Sequence, residues 1–361
     1  MATPMIPLTR PSIGDEDLAA VSAVLRTGML VQGKEVAAFE AKVATRVGRR
    51  HAVAVANGTS ALHLSLLALG VGPGDEVLVP ALTWPSPAHA VRLVGATPVL
   101  VDVDPDEWNV RGPALAARRT ARTRAAIVID QFGNPLRRPE IEQALPGLPL
   151  VEDAACAIGS RFEDAACGTL GTLSCLSFHP RKIVTTGEGG MVLVDDDSLA
   201  DRLRVLRNHG QSAPGVFREP AGNQRMTEFQ AALGAVQLGK LDAIVEARAR
   251  LSRRYEERLG ERLRFQRIPT GCLSNRQTMG AALPEGRTAA DRDALVAGLR
   301  ARGIEAGLLS YALSRLASVA PGGPAMPIAE GLVDRGFSLP LFPELPLSDQ
   351  DAVCQAIEEL T

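Results

Sequence analysis

Lys182 lies in the run SFHPRKIVTTGEGG (177–190), between a strand-like stretch and a Thr/Gly-rich turn. The chain carries 39 Lys and Arg together, yet only four are lysine: Lys34, Lys42, Lys182 and Lys240. Arginine serves as a surface charge, but its guanidinium is never a free amine and cannot bond covalently to an aldehyde. A lysine kept in this setting is therefore a candidate nucleophile. Three further groups could work with it. Asn57-Gly58-Thr59-Ser60 joins an apolar run to a helical pattern, where hydroxyls and free backbone N–H groups at a helix start make a seat for phosphate. Asp153 closes the run LPLVED (148–153), and Trp84 follows EVLVPA (76–81). Ser177 ends LSCLSFH (173–179), five residues before Lys182.

Each of these has an ordinary explanation when taken singly: a helix cap, a salt bridge, a packed aromatic, a solvated loop lysine. Taken together and in this order they fit pyridoxal phosphate. That cofactor needs a lysine for its aldehyde, a phosphate cup, a carboxylate for its pyridine nitrogen and a flat group against its ring.

The elements that must position these residues read as a mostly parallel α/β sheet. Candidate strands are 51–57, 76–81, 97–103, 125–130, 148–153, 173–179 and 189–196. Helix-length segments separate several of them, which predicts βαβ units with helices on both faces. A helix is expected over 59–69, ended by Gly70, and one long helix from Thr227 to about Leu259, with Phe229, Leu233, Val236, Leu241 and Ile244 near one face. In such sheets chemistry collects at the carboxyl ends of the strands. Runs at 263–269, 278–284 and 304–310, with helices over 287–303 and 348–360, predict a smaller α+β lobe; Ser348 is the expected N-cap of the last helix. The expected division is a large cofactor-binding domain, 1–246, with an N-terminal arm over 1–14, and a small C-terminal domain, 247–361.

The chain resembles the DegT/DnrJ/StrS aminotransferases, the sugar- and cyclitol-aminating group of fold-type-I pyridoxal phosphate enzymes. The matching text includes GKEVAAFE (33–40), HAVAVANGTSALHLSLLALGVGPGDEVLVPALTW (51–84), PVLVDVDPDEWNV (98–110), VEDAACAIGS (151–160), SFHPRKIVTTGEGGMV (177–192), RNHG (207–210) and GNQRMTEFQAALGAVQL (222–238), with a faint return at FSLPLFPELP (337–346). The resemblance implies a seven-stranded sheet between helices and a set of roles. Lys182 would bond to the cofactor aldehyde and then move the proton. Asp153 would keep the pyridine nitrogen protonated. Gly58, Thr59, Ser60 and Ser177 would hold the phosphate, and Trp84 would stack on the ring. It also implies a homodimer with a shared site, in which Asn223, or Arg225, reaches the partner's phosphate.

Departures from the family pattern stand at Cys156, where many relatives have His or Gln against the opposite ring face, at QFGNP (131–135), and over 307–323, which lacks the family's aromatic-Pro-Leu-His stretch. Trp84 in place of the commoner Phe resembles the cyclitol-aminating branch.

The implied activity is transfer of an amino group from glutamate or glutamine to a keto-sugar or keto-cyclitol, in an antibiotic or other secondary-metabolite pathway or in cell-surface polysaccharide synthesis. A pyridoxal phosphate lyase or dehydratase on the same scaffold, or a cofactor-binding regulator, is the alternative. Dehydratase relatives replace the lysine with His, so Lys182 weighs against that branch; a regulator has no need for Lys, Asp and phosphate cup together. A formal net charge of −2 without a basic block disfavours nucleic acid as partner. No apolar run is long enough to cross a bilayer, so no membrane partner is expected. Cys156, Cys167, Cys175, Cys272 and Cys354 are odd in number and show no CxxC spacing, so they read as free thiols of a reducing cytoplasm rather than a metal site or a disulfide framework.

Overall fold

The computed structural model describes residues 5–319 and 323–361. Residues 1–4 of the expected arm and 320–322 of the divergent 307–323 segment lie outside them. The central sheet has seven strands: β1 (His51–Val55), β2 (Glu76–Pro80), β3 (Thr97–Val101), β4 (Thr123–Ile129), β5 (Leu150–Asp153), β6 (Leu173–Ser177) and β7 (Gly190–Val194). Their spatial order is β1-β7-β6-β5-β4-β2-β3. The five strands β3, β2, β4, β5 and β6 pair in parallel, while β7 runs antiparallel to both β6 and β1.

Period-two alternation explains why these strands read as continuous apolar runs. In β1, Val53 and Val55 enter one core while Ala52 and Ala54 enter the other; in β7, Val192 and Val194 part from Met191 and Leu193 in the same way. The first core lies under helix α3 (Gly58–Ala68), capped by the Asn57 side chain, which accepts from Ser60 N. The second lies under α2 (Lys34–Val47) and α4 (Glu228–Gly239). A third core fills the C-terminal lobe, where the four-stranded antiparallel sheet β8 (Arg264–Phe265), β9 (Met279–Ala282), β11 (Gly336–Leu339), β10 (Gly307–Leu308) packs with α6 (Ala289–Ala301) and α7 (Leu347–Leu360).

The single long helix expected from Thr227 is two. α4 ends at Gly239, Lys240 takes φ −90° and ψ −6°, and α5 runs over Leu241–Leu259. The cause is tertiary: Lys240 and Gln237 both reach the carboxylate of Asp17 in α1 (Asp15–Thr27), a group 1% exposed. The buried side of α4 is also not the expected one. It presents Ala231, Ala232, Gly234 and Gln237, and a Cβ at Gly234 would sit 2.6 Å from the Phe39 ring. Phe229, Leu233 and Val236 are only half-buried. Ser348 does not cap α7; that helix starts at Leu347 after Pro346, whose φ of −60° and ψ of 142° end the preceding extended chain.

One buried carboxylate joins two elements. Glu228, at the start of α4, accepts from the backbone N–H groups of Gly33, Glu35 and Val36, which the first turn of α2 leaves free. Glu228→Ala strands these donors and is expected to cost roughly 3 kcal/mol, read as a lower midpoint in urea unfolding; an unchanged midpoint would show that water replaces the carboxylate.

Candidate active site

The carboxyl ends of β5 and β6 stand side by side, and the chain leaving β6 carries Lys182. Asp153 is the last residue of β5 and pairs in register with Cys175 of β6, so it stands beside the strand that leads through Ser177 to the lysine. The loop that carries Lys182 is pinned at both ends. Phe178 N donates to Gly189 O, Thr186 N and Thr185 Oγ1 donate to Phe178 O, and Lys182 N donates to His179 O. Gly187 at φ +79° makes the turn of TGEGG, a left-handed conformation that glycine adopts without strain. Glu188 is exposed, and its carbonyl, not its carboxylate, is used: it accepts from Thr186 Oγ1 and Gln230 Nε2.

Lys182 is half-buried, and its Nζ donates to Cys156 Sγ at 3.0 Å. It lines a narrow crevice with Thr185, Gln237, Arg248 and the arm residues Arg10 and Ser12. Asp153 is 6% exposed and accepts from Ala155 N at 3.1 Å. Burial pushes its carboxyl above the ordinary range, while the Ala155 N–H and the charge of Lys182 act in the opposite sense. A cationic group placed against Asp153 would complete its ionisation. His179, half-buried beside Lys182 and Arg181, is held below its ordinary value, chiefly by burial.

The seat at Asn57–Ser60 is tight by construction. A Cβ on Gly58 would lie 2.9 Å from the Ser177 Cβ, and one on Gly190 would lie 2.3 Å from Asn57 O. Three chain segments therefore meet closely at the N-terminus of α3, with Ser177 Oγ 3.3 Å from where that Gly58 Cβ would stand. Thr59 Oγ1 is 2.8 Å from Ser86 Oγ, which ties the seat to the loop of Trp84. Trp84 is 61% exposed and meets Tyr311 edge to face, ring centroids 5.3 Å apart. Tyr311 comes from the 307–323 segment, whose Tyr311–Ala312 pairs with Leu82–Thr83.

Gly58, Thr59, Ser60, Trp84, Asp153, Cys156, Ser177 and Lys182 are thus held on neighbouring strand ends and linked loops. Asn223 does not join them within the chain: it is exposed, and its Oδ1 accepts from Arg225 N at 3.3 Å. Its neighbour Gln224 is the residue that reaches the seat, with Ser60 Oγ donating to Gln224 Oε1 at 2.6 Å and Ala56 N to Gln224 O at 2.8 Å. Sequence reasoning missed Gln224, Ser86 and Tyr311; nothing local marks them, since each acts across a long loop.

It also missed Asn275 and Gln277. Asn275 is fully buried and donates to the carbonyls of Cys156 and Ile158, both at 2.9 Å, while Gln277 Nε2 donates to Arg181 O at 2.8 Å. The C-terminal lobe thereby grips both the Cys156 turn and the lysine loop. A larger cavity, about 730 Å³, lies apart from Lys182 and is lined by Arg204, Arg207, Arg218 and Arg225 among others.

The chain matches the model of the DegT/DnrJ/EryC1/StrS aminotransferase family over residues 11–358. Among solved structures, it is similar to the aminotransferase TlmJ from Streptoalloteichus hindustanus, with 32% identity and a TM-score of 0.93 over 99% of this chain and 98% of that one. It is similar to a DegT DnrJ EryC1 StrS aminotransferase from Brucella abortus, with 34% identity and a TM-score of 0.88 over 96% and 95%. The PLP-form of Spr1654 from Streptococcus pneumoniae matches with 25% identity and a TM-score of 0.92 over 99% and 100%.

Proposed function

The chain belongs to the DegT/DnrJ/EryC1/StrS aminotransferase family, and from that premise we propose that it moves an amino group from glutamate or glutamine to the ketone of a sugar or cyclitol. Its cofactor is pyridoxal 5′-phosphate, the form in which the Streptococcus pneumoniae neighbour was solved. The residues present fit that group. An amine, a buried carboxylate and a glycine turn at a helix start stand at strand ends and the loops that leave them, and a side chain at Gly58 would press on Ser177 and one at Gly190 on the Asn57–Gly58 backbone. The observation that carries the reading is Lys182 Nζ, half-buried at the mouth of that arrangement with Asp153 on the neighbouring strand.

When bound, the cofactor supplies a ring that takes up the electrons released as the substrate's Cα–H bond breaks. The chain supplies the rest. Lys182 Nζ would hold the cofactor's aldehyde and, once the substrate's amine had displaced it there, would be the base and acid that moves the Cα proton. Asp153 holds a proton on the pyridine nitrogen, because a neighbouring anion favours the charged form. Gly58 N–H, Thr59, Ser60 and Ser177 would hold its phosphate, and Trp84 and Cys156 would hold its ring. The contact of Trp84 with Tyr311 sets the acceptor side of the pocket.

The site is completed by a second copy, whose Asn223 reaches this phosphate. Exposed Met29 and Val31 and half-buried Phe229, Leu233 and Val236 form the apolar surface that such a homodimer covers; Glu228 N donates to Leu30 O, so the two groups adjoin. Residues 1–246 then act as the cofactor-binding domain and 247–361 as the smaller lobe over the acceptor. We assign the enzyme to the cytoplasm from its free cysteines, and its step to antibiotic or polysaccharide biosynthesis. Among the described residues no helix is long and apolar enough to cross a membrane.

The absorbance spectrum of the purified protein tests this reading. Glutamate or glutamine is expected to convert the bound aldehyde form to pyridoxamine phosphate, and a keto-cyclitol or keto-sugar to restore it. A spectrum that no amino donor changes would overturn the assignment. Gly58→Ala is expected to leave the fold intact and raise the Kd for pyridoxal phosphate about tenfold, since its methyl collides with Ser177; fluorescence titration of the cofactor-free protein reads this directly.

A further inference from the structure

Asp130 follows β4, and Glu152 precedes Asp153 in β5; alternation sends Glu152 to the face of the sheet opposite Asp153. The side chains of Asp130 and Glu152 are each 1% exposed, and carboxyl oxygens of both lie within 4.8 Å of one another and of Cys167 Sγ. Their hydrogen bonding is unequal. Glu152 Oε1 accepts from Gly168 N at 2.7 Å, and Oε2 accepts from Leu170 N at 2.9 Å and Ser174 Oγ at 2.7 Å. Arg49 Nη2 donates in turn to Ser174 Oγ at 3.1 Å. Among the described residues, Asp130 Oδ1 accepts from Leu136 N alone, at 2.9 Å, and Oδ2 has no partner.

Two carboxylates this close in a dry interior do not both ionise. Glu152, with three donors and a guanidinium one residue away, has the surroundings of an anion. Asp130 Oδ2, buried, with no donor and belonging to a carboxyl that lies beside that anion, has the surroundings of an acid O–H. We propose that Asp130 is a protonated acid in the folded protein, sharing its proton with Glu152, and that it is a positioning residue which keeps the charge behind Asp153 at one rather than two. The titratable groups beside it are Glu152 and Cys167; Asp153 acts on it from the other face of the sheet, and Cys272 lies within reach of its charge. Burial and then Glu152 push the Asp130 carboxyl well up, and burial pushes the Cys167 thiol up, so that it faces the pair uncharged. Glu152 also raises the Asp153 carboxyl. A second anion at Asp130 would push it further toward the neutral form, which cannot hold a pyridinium.

The test uses the cofactor-free protein, so its failure leaves the proposed activity standing and the reverse also holds. A carboxyl whose folded pKa is raised binds more protons folded than unfolded. Its contribution is complete below the unfolded value, about 4, and is lost as pH climbs toward the folded value. Asn at 130 is neutral at every pH and escapes that loss. The Tm of Asp130→Asn minus that of the wild type is therefore expected to rise by roughly 2 °C or more between about pH 5.5 and about pH 9.

A difference that is flat with pH, or that rises toward acid, overturns the proposal. So does one divalent cation per chain in elemental analysis of the wild type, absent from the variant. Should Asp130→Asn fail to fold, infrared spectra of Asp153→Asn carrying ¹³C-aspartate decide. A label-shifted band of an un-ionised carboxylic acid at neutral pH is expected, and its absence overturns the assignment.

Discussion

Lys182→Ala is expected to abolish transamination in both half-reactions, with a fall in kcat of roughly 10⁴-fold or more. The size follows from two tasks lost together. In the proposed reading Lys182 Nζ is both the amine that anchors the aldehyde and the group that carries the proton between substrate and cofactor. Its side chain donates one hydrogen bond, to Cys156 Sγ, so removing it costs the fold about 1 kcal/mol or less. Thermal unfolding of the variant should therefore stay close to that of the wild type. Lys182→Arg separates charge from amine: it keeps a cation beside Asp153 but has no free amine. Both variants are expected to be equally inactive. Activity restored by arginine would mean that Lys182 acts as a charge alone.

Asp153→Asn lowers the rate of the donor half-reaction by roughly 10²–10³-fold, the scale seen when one preorganised electrostatic group is removed from an active site. Asparagine keeps the shape and can still accept from Ala155 N through its Oδ1. Only the anion is lost. The pyridine nitrogen then has no partner that favours its protonated form, and the ring becomes a poorer acceptor of electrons. Single-turnover absorbance with glutamate or glutamine measures the effect free of product release. A near-normal rate would remove Asp153 from the chemistry and leave it a buried cap of the turn at Ala155.

Most of the sheet and the linear part of the site were legible in the sequence for one physical reason: both are local. A strand buried on two faces announces itself as an apolar run, as in HAVAV, and the turns that follow such runs carry the groups at strand ends. Asp153 and Ser177 close their strands, and Thr59 and Lys182 follow theirs by a few residues. What was not legible depends on distant partners. The break at Lys240 is set by Asp17, more than two hundred residues earlier in the chain. Gln224 rather than Asn223 reaches the seat because the segment pairs with Arg207 and Ala56, through Gln224 N to Arg207 O and Ala56 N to Gln224 O. Asn275 and Gln277 grip the Cys156 and Lys182 loops from another lobe. The half-buried ridge of Phe229, Leu233 and Val236 has the helical spacing of a core face, and periodicity alone does not say whether a core or a second subunit covers it.

Borohydride reduction of the freshly purified protein, followed by peptide mass mapping, examines the whole scheme at its covalent root. The result expected is one reduced cofactor per chain, attached to Lys182 in the peptide that follows SFHPR. Attachment at Lys34, Lys42 or Lys240, or an unlabelled chain after supply of excess pyridoxal phosphate, would contradict it.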